Sequence, residues 1–173
     1  MTTAQLLELF EIQRLKSQYF LFVDTKQWAQ LRELFTDDLF IFADDSPVPE
    51  ETVPVFTSAD AFIDYLTVAF ATTISVHHGH TPDLQLIDER TATGIWAMYD
   101  WTDDQSTGIA KQGFGHYHEE YRKGDDGRWR IATMRLTRLR VNRVDSLPSE
   151  LQSMFTRLRE EARAAREMTP VQP

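Results

Sequence analysis

The chain of 173 residues contains no cysteine. This excludes disulfide scaffolds, thiolate zinc sites, iron–sulfur clusters and thiol catalysis. Histidine is scarce as well: there are five, all between His77 and His118. No run approaches the ~20 apolar residues of a membrane span. No G-x-G-x-x-G or Walker loop is present to hold a nucleotide. Basic residues are in deficit, with 18 Lys and Arg against 27 Asp and Glu and a net charge of −9. A duplex-binding domain needs a basic face, so nucleic acid is excluded as an expected partner.

What is present describes a globular protein. Hydrophobic residues make up 42% and charged residues 26%, near globular averages. The length suits one domain with a tail. The N-terminal MTTAQLLELFEIQRLK carries Glu8 and Glu11 and reads as an amphipathic helix rather than a signal peptide. A soluble cytoplasmic protein with no membrane partner is expected. The acidity is local: eight carboxylates and no Lys or Arg lie between Asp37 and Asp64. A solvated loop and helix face explains them better than a cation site, because the calcium-loop spacing is absent.

Leu6, Leu7, Phe10, Ile12, Leu15, Tyr19, Phe20 and Phe22 recur at helical spacing and predict a helix over 4–24. Thr25 is a candidate cap for a shorter helix through Trp28, Leu31, Leu34 and Phe35. Leu39 to Phe42 reads as a short buried strand. Residues 43–57, with three prolines, read as an extended loop that could serve as a lid. Ser58 is a candidate N-cap for a helix through Phe70. From Thr73 onward the period becomes two, predicting strands at 73–79, 82–88, 91–103, 111–123 and 128–142, and hence a curled antiparallel sheet. Pro148 to Met168 reads as an exposed helix. The expected fold class is α+β: residues 1–146 form the domain and 147–173 a helical extension and tail.

Four segments carry candidate chemistry. Tyr19 and Asp24 lie near the end of the first helix, and Asp24 follows three apolar residues. A carboxylate there takes partners, acquires a raised pKa, or caps the next helix. His77, His78 and His80 lie on one strand, where neighbours point to opposite faces, so only one of His77 and His78 can face a cavity. His78, His80, His116 and His118 could supply a metal site, but no H-E-x-x-H motif supports one, and no metal is expected. Trp96, Met98 and Asp100 share a face, as a wall for an apolar ligand would. Arg135, Arg138 and Arg140 lie on the last strand, where an arginine among apolar residues can grip an anionic oxygen.

Taken together, Y-x4-D at the end of the first helix, V-H-H-G-H, A-T-G-I-W-x-M-x-D, G-x-G-x-Y-x-E-E-Y and D-G-x-W-R-I resemble the SnoaL-like branch of the nuclear-transport-factor-2-like superfamily. The resemblance covers about residues 5–142. It implies a cone-shaped α+β barrel, its curved sheet wrapped around the N-terminal helices and enclosing an apolar pocket. Members include scytalone dehydratase, a bile-acid dehydratase and hexachlorocyclohexane dehydrochlorinase, all cofactor-independent. The resemblance carries an Asp–His dyad onto Asp24 and His77, a tyrosine onto Tyr19 and an acidic residue onto Asp100. Arg138 is chosen over Arg135 and Arg140 because its parity is opposite to that of Trp129, which is expected on the outer face. Trp96, Met98, Tyr117 and Met134 are expected to line the substrate pocket.

The expected function is therefore a cofactor-free lyase or isomerase, a dehydratase above all, acting on a hydrophobic cyclic small molecule. A non-catalytic binding or assembly module of the same fold is the alternative. Apolar positions on the sheet's outer face need cover, so a homo-oligomer, dimer or trimer, is expected.

Overall fold

The computed structural model describes residues 1–44 and 53–145, together with Met154, Arg157, Glu160 and Glu161. Helix α1 (Thr3–Asp24) starts where Thr2 and Gln5 close a capping box. Its buried stripe is Ile12, Leu15, Lys16, Tyr19 and Val23, at steps of three and four. Leu6, Leu7 and Phe10 do not continue that stripe: they are 42%, 60% and 57% exposed. There the helix meets the sheet through Glu8, which accepts hydrogen bonds from Lys123 Nζ and Trp129 Nε1, both at 2.7 Å.

Thr25 caps the end of α1, not the start of the next helix; its hydroxyl donates back to Leu21 O at 2.5 Å. Helix α2 (Trp28–Arg32) is one short turn. Phe35 leaves it and opens strand β1 (Phe35–Asp44), pairing with Ile131, so strand pairing overrides the helical spacing that reaches Phe35 in the sequence. Helix α3 (Ala59–Ala69) is capped by Ser58, which accepts from Ala61 N–H at 3.2 Å.

Four long strands follow: β2 (Thr73–Leu86), β3 (Thr91–Asp104), β4 (Ile109–Lys123) and β5 (Trp129–Asp145). The two strands expected at 73–79 and 82–88 are one. Thr81-Pro82 makes a register irregularity between His80 and Asp83 rather than a turn. The sheet order is β1-β5-β4-β3-β2, so Pro82 lies on an edge strand, where a missing N–H is tolerated. β2 to β5 form an antiparallel meander, and β1 joins β5 in parallel. The sheet is therefore mixed rather than purely antiparallel, curved into an α+β cone around α1. Phe20 of α1 packs closely on β2 because Gly79 has no side chain; a Cβ there would meet the Phe20 ring at 2.7 Å and Trp96 at 3.2 Å.

Strand β5 contains two irregularities. Tyr121 pairs with Ile131 but Glu120 with Thr133, leaving Ala132 extra; Gly115 pairs with Arg138 but Phe114 with Arg140, leaving Leu139 extra. Each extra residue reverses which parity faces the core. Trp129 is therefore buried in the core, not on the outer face.

The helix expected over 148–168 and the domain boundary at 146 fall largely outside the described residues, of which Met154, Arg157, Glu160 and Glu161 are helical. Of the 43–57 loop, 45–52 lie outside them too; Phe56 returns to bridge Ile41. No described helix is long and apolar enough to cross a membrane.

Candidate active site

Asp24 is the last residue of α1, and its carboxylate turns onto β2 instead of capping α2. It accepts from Ser75 Oγ at 2.8 Å and from His77 N–H at 2.9 Å, and bonds His77 Nδ1 at 2.6 Å. The strand supplies these partners because Ser75 and His77 alternate onto the concave face. With Nδ1–H held by the carboxylate, His77 Nε2 is left as the acceptor, the form a general base requires. The His77 side chain is 8% exposed and faces a cavity of about 430 Å³.

Asp100 lies directly across from His77, on β3. Arg138 reaches it from β5 over the intervening β4, donating from Nη1 to Asp100 Oδ2 at 2.7 Å. The crossing is possible because residue 113 is glycine; a Cβ there would collide with both Arg138 Nη1 and Asp100 Oδ1. Met98 Sδ lies 3.8 Å from the same nitrogen. Two polar pairs thus stand side by side: Asp24–His77, then Asp100–Arg138.

The rest of the cavity is apolar and aromatic. Ile41 and Phe42 of β1, Val55 and Phe56 after the loop, and Phe62, Tyr65 and Phe70 from α3 form one wall; Tyr117, Met134 and Leu136 of the sheet and Tyr19 of α1 form the other. Burial pushes the Tyr19 phenol well above its ordinary pKa, and the charge of Glu119 adds to this; a hydrogen bond from Tyr117 opposes it. Burial raises Tyr117 in the same direction. Both phenols are therefore neutral donors at physiological pH.

Tyr19, His77, Asp100, Tyr117, Met134 and Arg138 come together at this cavity, with Asp24 directly behind His77. Trp96 and Met98, expected on its wall, are 5% and 4% exposed and do not line it. Their parity is inward, but they lie further along β3, where Met98 pairs with Gly79 and Phe20 of α1 packs over that glycine. Trp96 Nε1 instead donates to Tyr121 OH at 2.8 Å. Arg138 reaches the cavity by a route the parity count did not contain. Trp129 is inward and the extra Ala132 reverses the parity, so the two departures cancel. Arg140 bonds Asn142, and the Arg135 guanidinium lies 4.2 Å from the Phe42 ring centroid.

His78 is on the opposite face, stacked on Tyr99 with centroids 5.8 Å apart. His80 is its neighbour there, and His116 and His118 form a second pair. Among the described residues no group of three or more His, Asp or Glu is placed to hold a metal ion.

A buried charged pair has no counterpart among the residues singled out from the sequence. Lys16 and Glu119 are both fully buried, with Nζ to Oε1 at 2.5 Å. The signal was in the sequence: Lys16 is the one cation on the buried stripe of α1, and Glu119 alternates with Tyr117 and Tyr121.

Comparison with known proteins identifies the family and the fold. A model of the SnoaL-like domain matches residues 4–135. A Gibberella zeae protein named as a probable cyclase is 28% identical over 135 residues, covering 74% of this chain and 89% of that protein. Two solved structures have the same fold. One, from Novosphingobium aromaticivorans, is named as a candidate scytalone dehydratase; it is 19% identical with a TM-score of 0.71, covering 86% of this chain and 93% of that one. The other is a hexachlorocyclohexane dehydrochlorinase from Novosphingobium barchaimii, 17% identical with a TM-score of 0.69, covering 83% and 94%.

Proposed function

From the premise that the chain belongs to the SnoaL-like domain family, we propose that it is a cofactor-independent lyase or isomerase, most specifically a dehydratase of a hydrophobic cyclic small molecule. The observation that carries this reading is the Asp24–His77 pair at an aromatic cavity, with Asp100–Arg138 beside it. His77 Nε2 takes a proton from the carbon next to a carbonyl. Asp24 stabilises the imidazolium that results. The phenol of Tyr19 donates to the carbonyl oxygen as it gains charge. The imidazolium then returns its proton to the departing hydroxyl, which leaves as water, or, in a β,γ-unsaturated ketone, to the far carbon of the dienolate, which shifts the double bond into conjugation. Arg138 and Asp100 orient the substrate's oxygens. General acid–base catalysis of this kind contributes ~10²–10⁴-fold per group. Neither metal nor nucleotide is needed for these steps.

The cavity's aromatic lining favours a ring system over a charged metabolite. A second copy of the chain is the proposed cover for the convex sheet face, where Ile74, Val76 and Ile95 are 48%, 37% and 43% exposed. The proton-abstraction step is tested without knowing the natural substrate. Enolisable cyclic ketones, 2-tetralone first, are incubated with the protein in deuterium oxide and followed by proton NMR. Accelerated exchange next to the carbonyl is expected. Ligand-induced thermal stabilisation with no exchange for any ketone would favour the binding-module reading instead.

A further inference from the structure

The buried Lys16–Glu119 pair is not used by the steps above, and its two ends face different surroundings. On the carboxylate side, Glu119 Oε2 accepts from Tyr121 OH, which in turn accepts from Trp96 Nε1. That oxygen's partners lie in the core, although the carboxylate's charge still reaches the Tyr19 phenol. On the cationic side, Nζ lies 3.6 Å from the Tyr117 ring centroid and 4.1 Å from that of Tyr19. Both of these phenols line the cavity. The pair is neutral overall, but it is a dipole whose positive end stands behind the cavity wall.

Packing alone does not call for such a pair. Buried ion pairs are often no more stabilising than apolar residues of similar volume, because both charges lose their hydration. In a dry site, however, a fixed dipole acts strongly on charge that develops nearby. An ammonium against an aromatic face also holds the ring in place.

We propose that Lys16 is a positioning residue: held by Glu119, its ammonium orients the Tyr19 and Tyr117 phenols and favours negative charge on a ligand oxygen that meets them. The cavity then selects cyclic ligands bearing a carbonyl or phenolic oxygen that becomes anionic, rather than plain hydrocarbons. This rests on the reading that Tyr19 polarises the substrate's oxygen. Lys16 itself never touches substrate, being sealed behind the two rings.

The test uses the full chain and two probes: 4-nitrophenol, whose colour reports its ionisation, and naphthalene, which has no oxygen. In Lys16→Met/Glu119→Gln the dipole is removed, while Asp24, His77, Asp100 and Arg138 are untouched. The preference of the cavity for nitrophenolate over nitrophenol should fall about tenfold, which is one unit in the apparent pKa of the bound probe. Naphthalene affinity and melting temperature should change little, which a merely structural role for Lys16 would not predict. An unchanged phenolate preference in a folded variant overturns the inference and leaves the dehydratase reading standing. If the wild-type protein binds neither probe, both are overturned. Should the double variant fail to fold, Lys16→Met/Glu119→Leu/Tyr121→Phe replaces the whole buried polar chain by apolar groups and is read the same way.

Discussion

The two faces of the sheet use the same residue types to different ends. On β2, His77 and His78 are adjacent. His77 enters the cone and is tied through Nδ1 to Asp24, while His78 leaves it and stacks on Tyr99. The concave face joins its polar groups in pairs: Asp24 with His77, Asp100 with Arg138, Lys16 with Glu119. On the convex face, imidazoles lie beside aromatic rings and half-exposed aliphatics such as Val76 and Ile95. Burial accounts for the contrast. A polar group shut away from water needs a partner, and a partner fixes its geometry; a group near solvent needs neither. The residues arranged for chemistry are those for which being unpaired would be costly.

That contrast can be broken from the inside. Gly113→Ala places a methyl where Arg138 crosses to Asp100. Ketone exchange should fall on the order of ten- to a hundredfold as the charge-assisted pair is forced apart. The variant should also lose about 1–3 kcal/mol in denaturant unfolding, the usual cost of overpacking. Wild-type exchange in a folded Gly113→Ala protein would mean that the pair is incidental to the reaction.

The buried phenols provide a pH test. Burial raises the folded-state pKa of Tyr19, Tyr117 and Tyr121. A raised pKa contributes stability that is fully present below the unfolded value near 10 and is lost as pH rises toward the folded value. Unfolding free energy should therefore decline above about pH 10, by up to about 1.4 kcal/mol per pH unit for each phenol that ionises only on unfolding. Ultraviolet titration should show three of the five tyrosines ionising together with loss of structure. Early, reversible ionisation of all five would contradict the burial of these three. The smallest effect belongs outside the cone. Ile95→Glu, on the convex face, should lower the oligomeric mass seen by light scattering and leave ketone exchange within about twofold; a wild-type protein that is already monomeric would remove the proposed cover.

Much of the fold was legible because hydrophobic period is a local property: α1, α3 and three of the four long strands follow from it directly. What was not legible depends on contacts distant in sequence. Phe35 has helical spacing but a strand partner in Ile131. Pro82 looks like a turn until β2 is known to be an edge strand. Within the cavity, Asp24 and His77 lie 53 residues apart, and it was the family resemblance that joined them. Parity indicated correctly that Trp96 and Met98 point inward, but parity carries no information about depth along the cone. Arg138 shows the other weakness of parity: the extra Ala132 is invisible in sequence, and it happened to offset the inward placement of Trp129. Lys16 and Glu119 were missed because each alone reads as an ordinary charged residue. Only the packed structure shows that neither has access to water.

The central claim is that His77, and not its neighbour, is the base. Exchange of the protons next to the carbonyl of 2-tetralone in deuterium oxide, measured for His77→Gln and His78→Gln side by side, addresses it directly. The account predicts a loss of at least about a hundredfold for His77→Gln and a change of no more than about twofold for His78→Gln, both proteins remaining folded. Equal rates in the two variants, or a loss confined to His78→Gln, would contradict it.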